Sequence, residues 1–206
     1  MHLPEHLRLA YTERRPAILA RLADFQRVPR DDWFYELAFC VLTPQSKALH
    51  ANLVIEQLKQ MRFREVGGDP TPVLRNPSQY IRFHNTKASR LVDLREQWTD
   101  IEALIDSSET ARSRRDLLAQ TIKGIGMKEA SHFLRNVGVR GLAIIDRHLI
   151  SNLQQCQVID EHVRVSTYSS YRNVEDRFEQ FAASVGIDMD ELDLLFWSSV
   201  TGIILK

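Results

Sequence analysis

The sequence predicts an all-α protein of roughly ten helices joined by short loops. Three observations support this prediction. Apolar residues recur at helical spacing behind candidate N-caps, and glycines and prolines gather in short breaks between those segments. No segment alternates apolar and polar residues clearly enough to predict a strand, and residues 157–168 (QVIDEHVRVSTY) are the only weak candidate.

The first half of the chain contains three helical segments. DDWFYELAFCVL begins with Asp31 or Asp32 as an N-cap, and Pro44 follows its end. SKALHANLVIEQLKQM restarts with Ser46 as a cap, and NTKASRLVDLREQW begins at Asn85. Between these last two lies GGDPTPVLRNPSQ, whose two glycines and three prolines make it the main break in the pattern.

The second half continues in the same way. SSETARSRRDLLAQTI leads into a helix–turn–helix segment at residues 122–148, which ends where RHLISNLQQ begins. After a polar connection come YRNVEDRFEQFAASVG and DMDELDLLFWSSVTGIILK. No repeat or low-complexity tract interrupts this series.

Composition narrows the class of protein. With 206 residues, 44% hydrophobic and 26% charged, the chain can form one large or two small globular domains. No apolar run approaches the length of a membrane span, and the first fifteen residues do not resemble a signal peptide, so we expect a cytoplasmic protein without a membrane partner. Cys40 and Cys156 are too few for an iron–sulfur cluster, and no spacing predicts a metal site, so no metal or cofactor is expected.

Charge is distributed unevenly, although the whole chain has no net charge. Residues 110–150 hold eight basic and three acidic residues, a net charge of +5. Residues 157–206 hold four basic and nine acidic residues, a net charge of −5. The positive field around residues 110–150 suits an anion-binding face, although chance clustering would produce the same count.

The segment IKGIGMKEASHFLRNVGVRGLAIIDRH, residues 122–148, is the most informative. Gly124 and Gly126 flank Ile125 in a tight turn, and glycine allows positive φ and close backbone approach. We expect Ile125 to point inward while the N–H groups at the start of the next helix bind a phosphate, which anchors a nucleic-acid backbone without reading its bases. Taken alone, the glycines fit an ordinary helix–turn–helix corner better than a binding site.

Lys128 and Asp146 add chemistry to this turn. Lys128 lies in the expected first turn of the second helix, where the partial positive charge of the helix favours a neutral, nucleophilic amine that can form a Schiff base. Asp146, eighteen positions later, is an expected N-cap whose carboxylate could stabilise positive charge on a sugar. Taken alone, each residue is explained better as a surface lysine or a capping aspartate. Together, behind a phosphate-binding hairpin, they favour an active site.

These residues resemble the signature of the helix–hairpin–helix DNA glycosylases, the superfamily of endonuclease III and the 8-oxoguanine glycosylases. That signature is a hairpin with a glycine–hydrophobic–glycine core, a lysine two residues on and an aspartate after the next loop, which Gly124, Gly126, Lys128 and Asp146 match. LTPQSKA (42–48), RFHNTKASRLV (82–92) and the terminal lysine are similar to the second type of 8-oxoguanine DNA glycosylase/AP lyase, found in archaea and some bacteria. The chain lacks the four-cysteine motif of endonuclease III relatives.

The resemblance implies two helical domains with the active site in the cleft between them. One would be residues 30–136 with the helix–hairpin–helix motif, and the other would combine residues 1–29 with residues 137–206. It also implies a bifunctional enzyme in which Lys128 attacks the anomeric carbon of an extruded 8-oxoguanine nucleotide. Asp146 stabilises the oxocarbenium ion, and β-elimination then cuts the strand.

The resemblance extends to the base pocket and the DNA wedge. Phe83 and Trp197 are candidates to sandwich the base, and Trp197 could equally be a core residue. The α-carboxylate of Lys206 is a candidate acceptor for N7–H of 8-oxoguanine, the proton that guanine lacks. Gln45 is the wedge candidate, and His84 is expected beside it at the DNA, with Asn85 and Lys87 as further candidates for backbone contacts.

Two alternatives stay open. A helix–hairpin–helix DNA-binding module without catalysis would need the glycines but neither Lys128 nor Asp146. A glycosylase for another oxidised base, such as a pyrimidine, would need both. The expected partner is double-stranded DNA containing oxidised guanine, the expected location is the nucleoid, and we expect a monomer because nothing in the sequence demands an oligomer.

Overall fold

The computed structural model describes residues 2–202 and residue 204. Within them the chain forms twelve α-helices and two short 3-10 helices, with no strand, so the all-α class is confirmed. The weak strand candidate is wrong: residues 157–167 form turns and irregular backbone, with no neighbouring strand to pair with. The α-helices are α1 (Glu5–Phe25), α2 (Trp33–Leu42), α3 (Ala48–Gln60), α4 (Phe63–Val66), α5 (Thr71–Arg75), α6 (His84–Glu96), α7 (Trp98–Ile105), α8 (Ala111–Thr121), α9 (Met127–Asn136), α10 (Arg147–Gln155), α11 (Tyr168–Val185) and α12 (Met189–Thr201).

The chain divides into two compact units. The central unit is Pro29–Phe133, and the terminal unit combines Met1–Val28 with Leu134–Lys206. Helix α9 begins in the central unit and ends in the terminal one, so Lys128 belongs to the first and Asp146 to the second.

The central unit is built around α2. Every residue of this helix from Phe34 to Leu42 is buried, and all of them except Glu36 are hydrophobic, as expected for a helix at the centre of a core. Helices α3 and α6 pack against it. The Phe34 ring meets Trp98 edge to face at 5.4 Å, a favourable aromatic geometry. This core supports α6, which begins at one candidate DNA-contacting turn.

The terminal unit is built around α12, which packs against α1, α10 and α11. Its residues from Met189 to Phe196 are all buried, and they include three acidic side chains. Two of these, Asp190 and Asp193, pair with Arg140 and Arg135. Burial of a carboxylate is costly without such partners, so the ion pairs make this polar core possible.

The helix starts differ from three expectations. Asp32 precedes α2 but makes no capping bond, because the preceding 3-10 turn gives it helical backbone angles and its carboxylate pairs with Lys59. Lys47, not Ser46, occupies the N-cap of α3. Asn85 lies inside α6, one residue after its start. Among the described residues, no helix is both long and apolar enough to cross a membrane.

Candidate active site

The hairpin between α8 and α9 has the expected shape. Gly124 has a φ of 88°, which disfavours any residue with a side chain, and Ile125 is buried beneath the turn as predicted. Gly126 does not have positive φ, so only the first glycine is required by its backbone angle. Lys128 follows as the second residue of α9, in its first turn as expected.

Two of the hairpin N–H groups are already engaged. The N–H of Ile125 donates to the carbonyl of Ile122 at 3.2 Å, which closes the turn. The N–H of Gly126 donates to Oε2 of Glu129 at 3.3 Å. The expected phosphate site therefore narrows to the N–H of Gly124 and the N–H groups in the first turn of α9, which have no acceptor within the helix.

Arg90 on α6 lies against the hairpin. Its guanidinium fills the space beside Gly124, where an added Cβ would come within 2.5 Å of Cζ. In the described part of the chain no carboxylate pairs with this half-buried guanidinium, so its charge is available to an anion. The sequence does not reveal this role of Arg90, because Arg90 lies 34 positions before Gly124 along the chain.

Lys128 has a counter-ion in the adjacent residue, Glu129, which its place in the first helical turn does not predict. Its side chain is 40% exposed, and Nζ lies 2.9 Å from Oε1 of Glu129. Glu129 thus binds both the amine of Lys128 and the N–H of Gly126. The spacing of three residues from Gly126 to Glu129 is that of a capping box and could have indicated this contact.

Asp146 is the N-cap of α10, as predicted. Its Oδ1 atom accepts hydrogen bonds from the N–H groups of His148 and Leu149, both at 2.8 Å. Oδ2 makes no hydrogen bond to the described residues, and the side chain is half-buried. The capping role and availability to a substrate are therefore compatible, since each uses a different oxygen.

A buried carboxylate lies near Asp146 within the terminal unit. Asp193 on α12 is ion-paired with Arg135 at 2.6 Å. Burial raises the pKa of Asp193 to about 7, an effect that Arg135 opposes and the charge of Asp146 reinforces. Trp197 lies one turn after Asp193 on the same face of α12 and is half-buried, which is compatible with either a pocket or a core role.

The other candidate contacts lie together in the central unit. Gln45 and Phe83 are both exposed and both have left-handed backbone angles, with φ of 57° and 59°. The guanidinium of Arg82 lies 5.3 Å from the centroid of the Phe83 ring, so one face of this 52%-exposed ring carries a cation. His84 packs edge to face against Tyr80.

Lys87 is not a DNA-backbone contact. It is buried, and its ammonium donates to acceptors inside the protein.

Lys206, the predicted acceptor for the damaged base, lies outside the described residues. Among the described residues, no group of three His, Cys, Asp or Glu side chains is placed to hold a metal ion.

Comparison with known proteins identifies the family. The model of the 8-oxoguanine DNA glycosylase family matches residues 18–187. The chain belongs to this family. An 8-oxoguanine DNA glycosylase/AP lyase of Fusobacterium nucleatum is 36% identical over 206 residues, covering 95% of this chain and 94% of the relative. The protein of the same name from Methanocaldococcus jannaschii is 34% identical over 188 residues, covering 88% of this chain and 86% of the relative.

Solved structures of family members have the same fold. The crystal structure of the M. jannaschii 8-oxoguanine DNA glycosylase superposes with a TM-score of 0.83 at 30% identity, covering 97% of this chain and 95% of that one. The M. jannaschii enzyme in complex with a 15mer DNA containing 8-oxoguanine gives a TM-score of 0.81 at 31% identity, covering 93% of each chain. The crystal structure of the Thermotoga maritima 8-oxoguanine DNA glycosylase superposes with a TM-score of 0.83 at 28% identity, covering 98% of this chain and 97% of that one.

Proposed function

We propose that the protein is a DNA repair enzyme that excises 8-oxoguanine and then cleaves the strand at the resulting abasic site. Membership of the 8-oxoguanine DNA glycosylase family supports this function. The observation that carries the mechanism is the half-exposed amine of Lys128 in the first turn of α9, directly behind the hairpin. A DNA-binding module without catalysis could use this amine only as a cation that contacts phosphate, so a covalent bond to DNA separates the two functions.

The chemistry follows from the residue types. The amine of Lys128 loses a proton and forms a bond to the anomeric carbon as the bond from that carbon to the base breaks, and the base leaves with a proton. Oδ2 of Asp146 stabilises the positive charge that develops on the sugar. The bond between the anomeric carbon and the ring oxygen then breaks, the ring oxygen takes up a proton, and the Lys128 nitrogen forms an iminium with the anomeric carbon. The iminium acidifies the neighbouring 2′ carbon, and loss of a 2′ proton expels the 3′ phosphate.

Other residues serve DNA binding and base selection. Gly124, Ile125 and Gly126 form the hairpin that anchors the phosphate backbone, with the charge of Arg90 beside it. Phe83 and Trp197 stack on the extruded base, and the α-carboxylate of Lys206 accepts from its N7–H. Gln45 fills the vacated space, and His84 contacts the opposite base. The enzyme acts as a monomer on double-stranded DNA of the nucleoid, in the cytoplasm.

Borohydride trapping tests this function. Duplexes with one 8-oxoguanine are incubated with enzyme and borohydride, and a covalent protein–DNA complex is expected on a denaturing gel. Lys128→Gln should abolish the complex while DNA binding largely remains, and Lys123→Gln, an exposed lysine of the same hairpin, should keep it. Trapping that persists in Lys128→Gln would contradict the nucleophile. A stronger signal with an oxidised pyrimidine would indicate a glycosylase for another base.

A further inference from the structure

Lys87 is a buried cation whose partners lie at the end of α2 and in the loop that follows it. It lies at the end of the first turn of α6 and is 2% exposed. Its Nζ atom donates to the carbonyls of Leu42 at 2.7 Å and Pro44 at 2.6 Å, and to the hydroxyl of Ser46 at 3.1 Å. All three acceptors are neutral, and no carboxylate of the described residues pairs with the ammonium. The ammonium therefore fastens the wedge loop, residues 43–46, to α6.

Ser46 extends this attachment to a second segment. Its hydroxyl oxygen also accepts from the N–H of Arg82 at 3.0 Å. Arg82 belongs to the pocket turn, residues 81–83, which leads into α6. One hydroxyl thus joins the ammonium of Lys87, the wedge loop and the pocket turn.

Each of these two segments contains one residue in an unfavourable backbone conformation. Gln45 in the wedge loop has a φ of 57°, and Phe83 in the pocket turn has a φ of 59°. Residues other than glycine rarely adopt this left-handed region of backbone angles, and an aromatic residue there is unusual. Such residues persist where their surroundings hold them, and they cluster at functional sites. Both side chains are exposed, so the core does not hold them in place.

Burial of the ammonium is itself unfavourable. Burial lowers the pKa of Lys87 to about 8, and the nearby charge of Arg90 acts in the same direction. A methionine would fill the same space without this cost, since buried charges can often be replaced by apolar residues. An apolar residue, however, could not donate hydrogen bonds to the wedge loop, as Lys87 does.

We propose that Lys87 is a positioning residue that, directly and through Ser46, holds the wedge loop and the pocket turn in the conformations that present Gln45 and Phe83 to DNA. This inference rests on the proposed function, because only base extrusion requires these two side chains to act together. Lys87 itself touches neither the DNA nor the reacting atoms.

The test separates base extrusion from the chemistry at Lys128. Lys87→Met and Ser46→Ala are compared with the unmodified enzyme on two duplexes, one with 8-oxoguanine and one with a preformed abasic site, which has no base to extrude. Extrusion is followed by the fluorescence of 2-aminopurine beside the lesion, and folding by thermal unfolding. Ser169→Ala, an exposed serine on α11, is the matched control. Ser46→Thr keeps the hydroxyl and is expected to recover most of any rate lost in Ser46→Ala.

We expect Lys87→Met to slow excision of 8-oxoguanine by about 100-fold, the effect of a small misplacement of groups that hold a substrate. Ser46→Ala should slow it by about five-fold, as for one lost hydrogen bond. For Lys87→Met, the loss of rate on the 8-oxoguanine duplex should be at least about ten-fold larger than the loss on the abasic duplex. For Ser46→Ala, it should be at least about two-fold larger. The 2-aminopurine signal should fall in parallel.

Two results would overturn the inference. Equal losses on both duplexes would mean that Lys87 supports the fold in general, and unchanged extrusion would mean that the attachment has no role. If Lys87→Met does not fold, Ser46→Ala and its threonine rescue decide the question. Failure of the unmodified enzyme to be trapped would count against the proposed function, while the 2-aminopurine measurement would still decide the role of Lys87.

Discussion

Oδ1 of Asp146 and the backbone N–H of Leu149 lie 2.8 Å apart, and the same oxygen accepts the N–H of His148. One oxygen of this carboxylate therefore caps α10, while the other makes no hydrogen bond to the described residues. A capping aspartate and a catalytic one had been alternatives from the sequence, and the geometry allows both. The two roles can be separated by substitution.

Asp146→Asn should keep the cap and lose the charge. Asparagine caps helices about as well as aspartate, so the free energy of unfolding should change by less than about 0.5 kcal/mol. Excision should fall by about 100-fold or more, as when a group that stabilises transition-state charge is removed. Asp146→Ala should in addition cost about 0.5–2 kcal/mol of stability. Denaturant unfolding and single-turnover excision measure the two effects, and full activity of Asp146→Asn would leave Asp146 only a capping role.

Glu129→Gln should free the amine of Lys128. The ion pair between them must open before the amine can reach a sugar, and a partly exposed pair is worth about 0.2–1 kcal/mol. Its loss should therefore raise the rate of borohydride trapping by up to about five-fold at saturating enzyme. Glutamine can still accept the N–H of Gly126, so the hairpin should keep its shape. A slower rate would indicate instead that Glu129 helps to orient Lys128.

The two hairpin glycines should respond differently to alanine. Gly124→Ala places a side chain at a φ of 88° and within 2.5 Å of the Arg90 guanidinium, so we expect a loss of about 1–2 kcal/mol. Gly126→Ala meets only the flexible end of Glu129 at 3.2 Å and should change stability by less than about 1 kcal/mol. Denaturant unfolding of both variants tests this order. Truncating Arg90 in the Gly124→Ala background should recover part of the loss, and no recovery would mean that strain in the backbone accounts for all of it.

Asp193 should make stability depend on pH. The pKa of the Asp193 carboxyl is about 7 in the folded chain, compared with its ordinary value of 3.8, which we take for the unfolded chain. Between these two pH values the folded chain therefore binds more protons than the unfolded chain. Protonation of Asp193 therefore contributes to the free energy of unfolding, and this contribution is fully present below about pH 4 and is lost as the pH rises through about 7. The unfolding free energy of the unmodified protein relative to Asp193→Asn should therefore fall from pH 5 to pH 7 and then level off. A rise over this range would mean that the Arg135 ion pair dominates, and Asp160→Asn, an exposed aspartate, is the control.

Local patterns in the sequence were enough to predict several features. The all-α class, the inward Ile125, the placement of Lys128 in a first helical turn and the cap at Asp146 all depend on residues within a few positions of one another. Such features follow from helix periodicity and capping preferences. The caps assigned to Ser46 and Asn85 were wrong. Ser46 instead binds Lys87 and Arg82, which local sequence does not reveal, and α6 begins one residue before Asn85.

The sequence by itself determined the helical class, the family signature and the candidate nucleophile with its aspartate, since each is written in short-range spacing. Only the tertiary structure decided which groups surround them. Lys87 and Ser46 meet because α6 packs beside the end of α2, and Arg90 reaches Gly124 across more than thirty positions of chain. Asp193 meets Arg135 because α12 and the end of α9 share a core. These contacts join residues far apart along the chain, and the burial that gives them their energy exists only once the helices have packed.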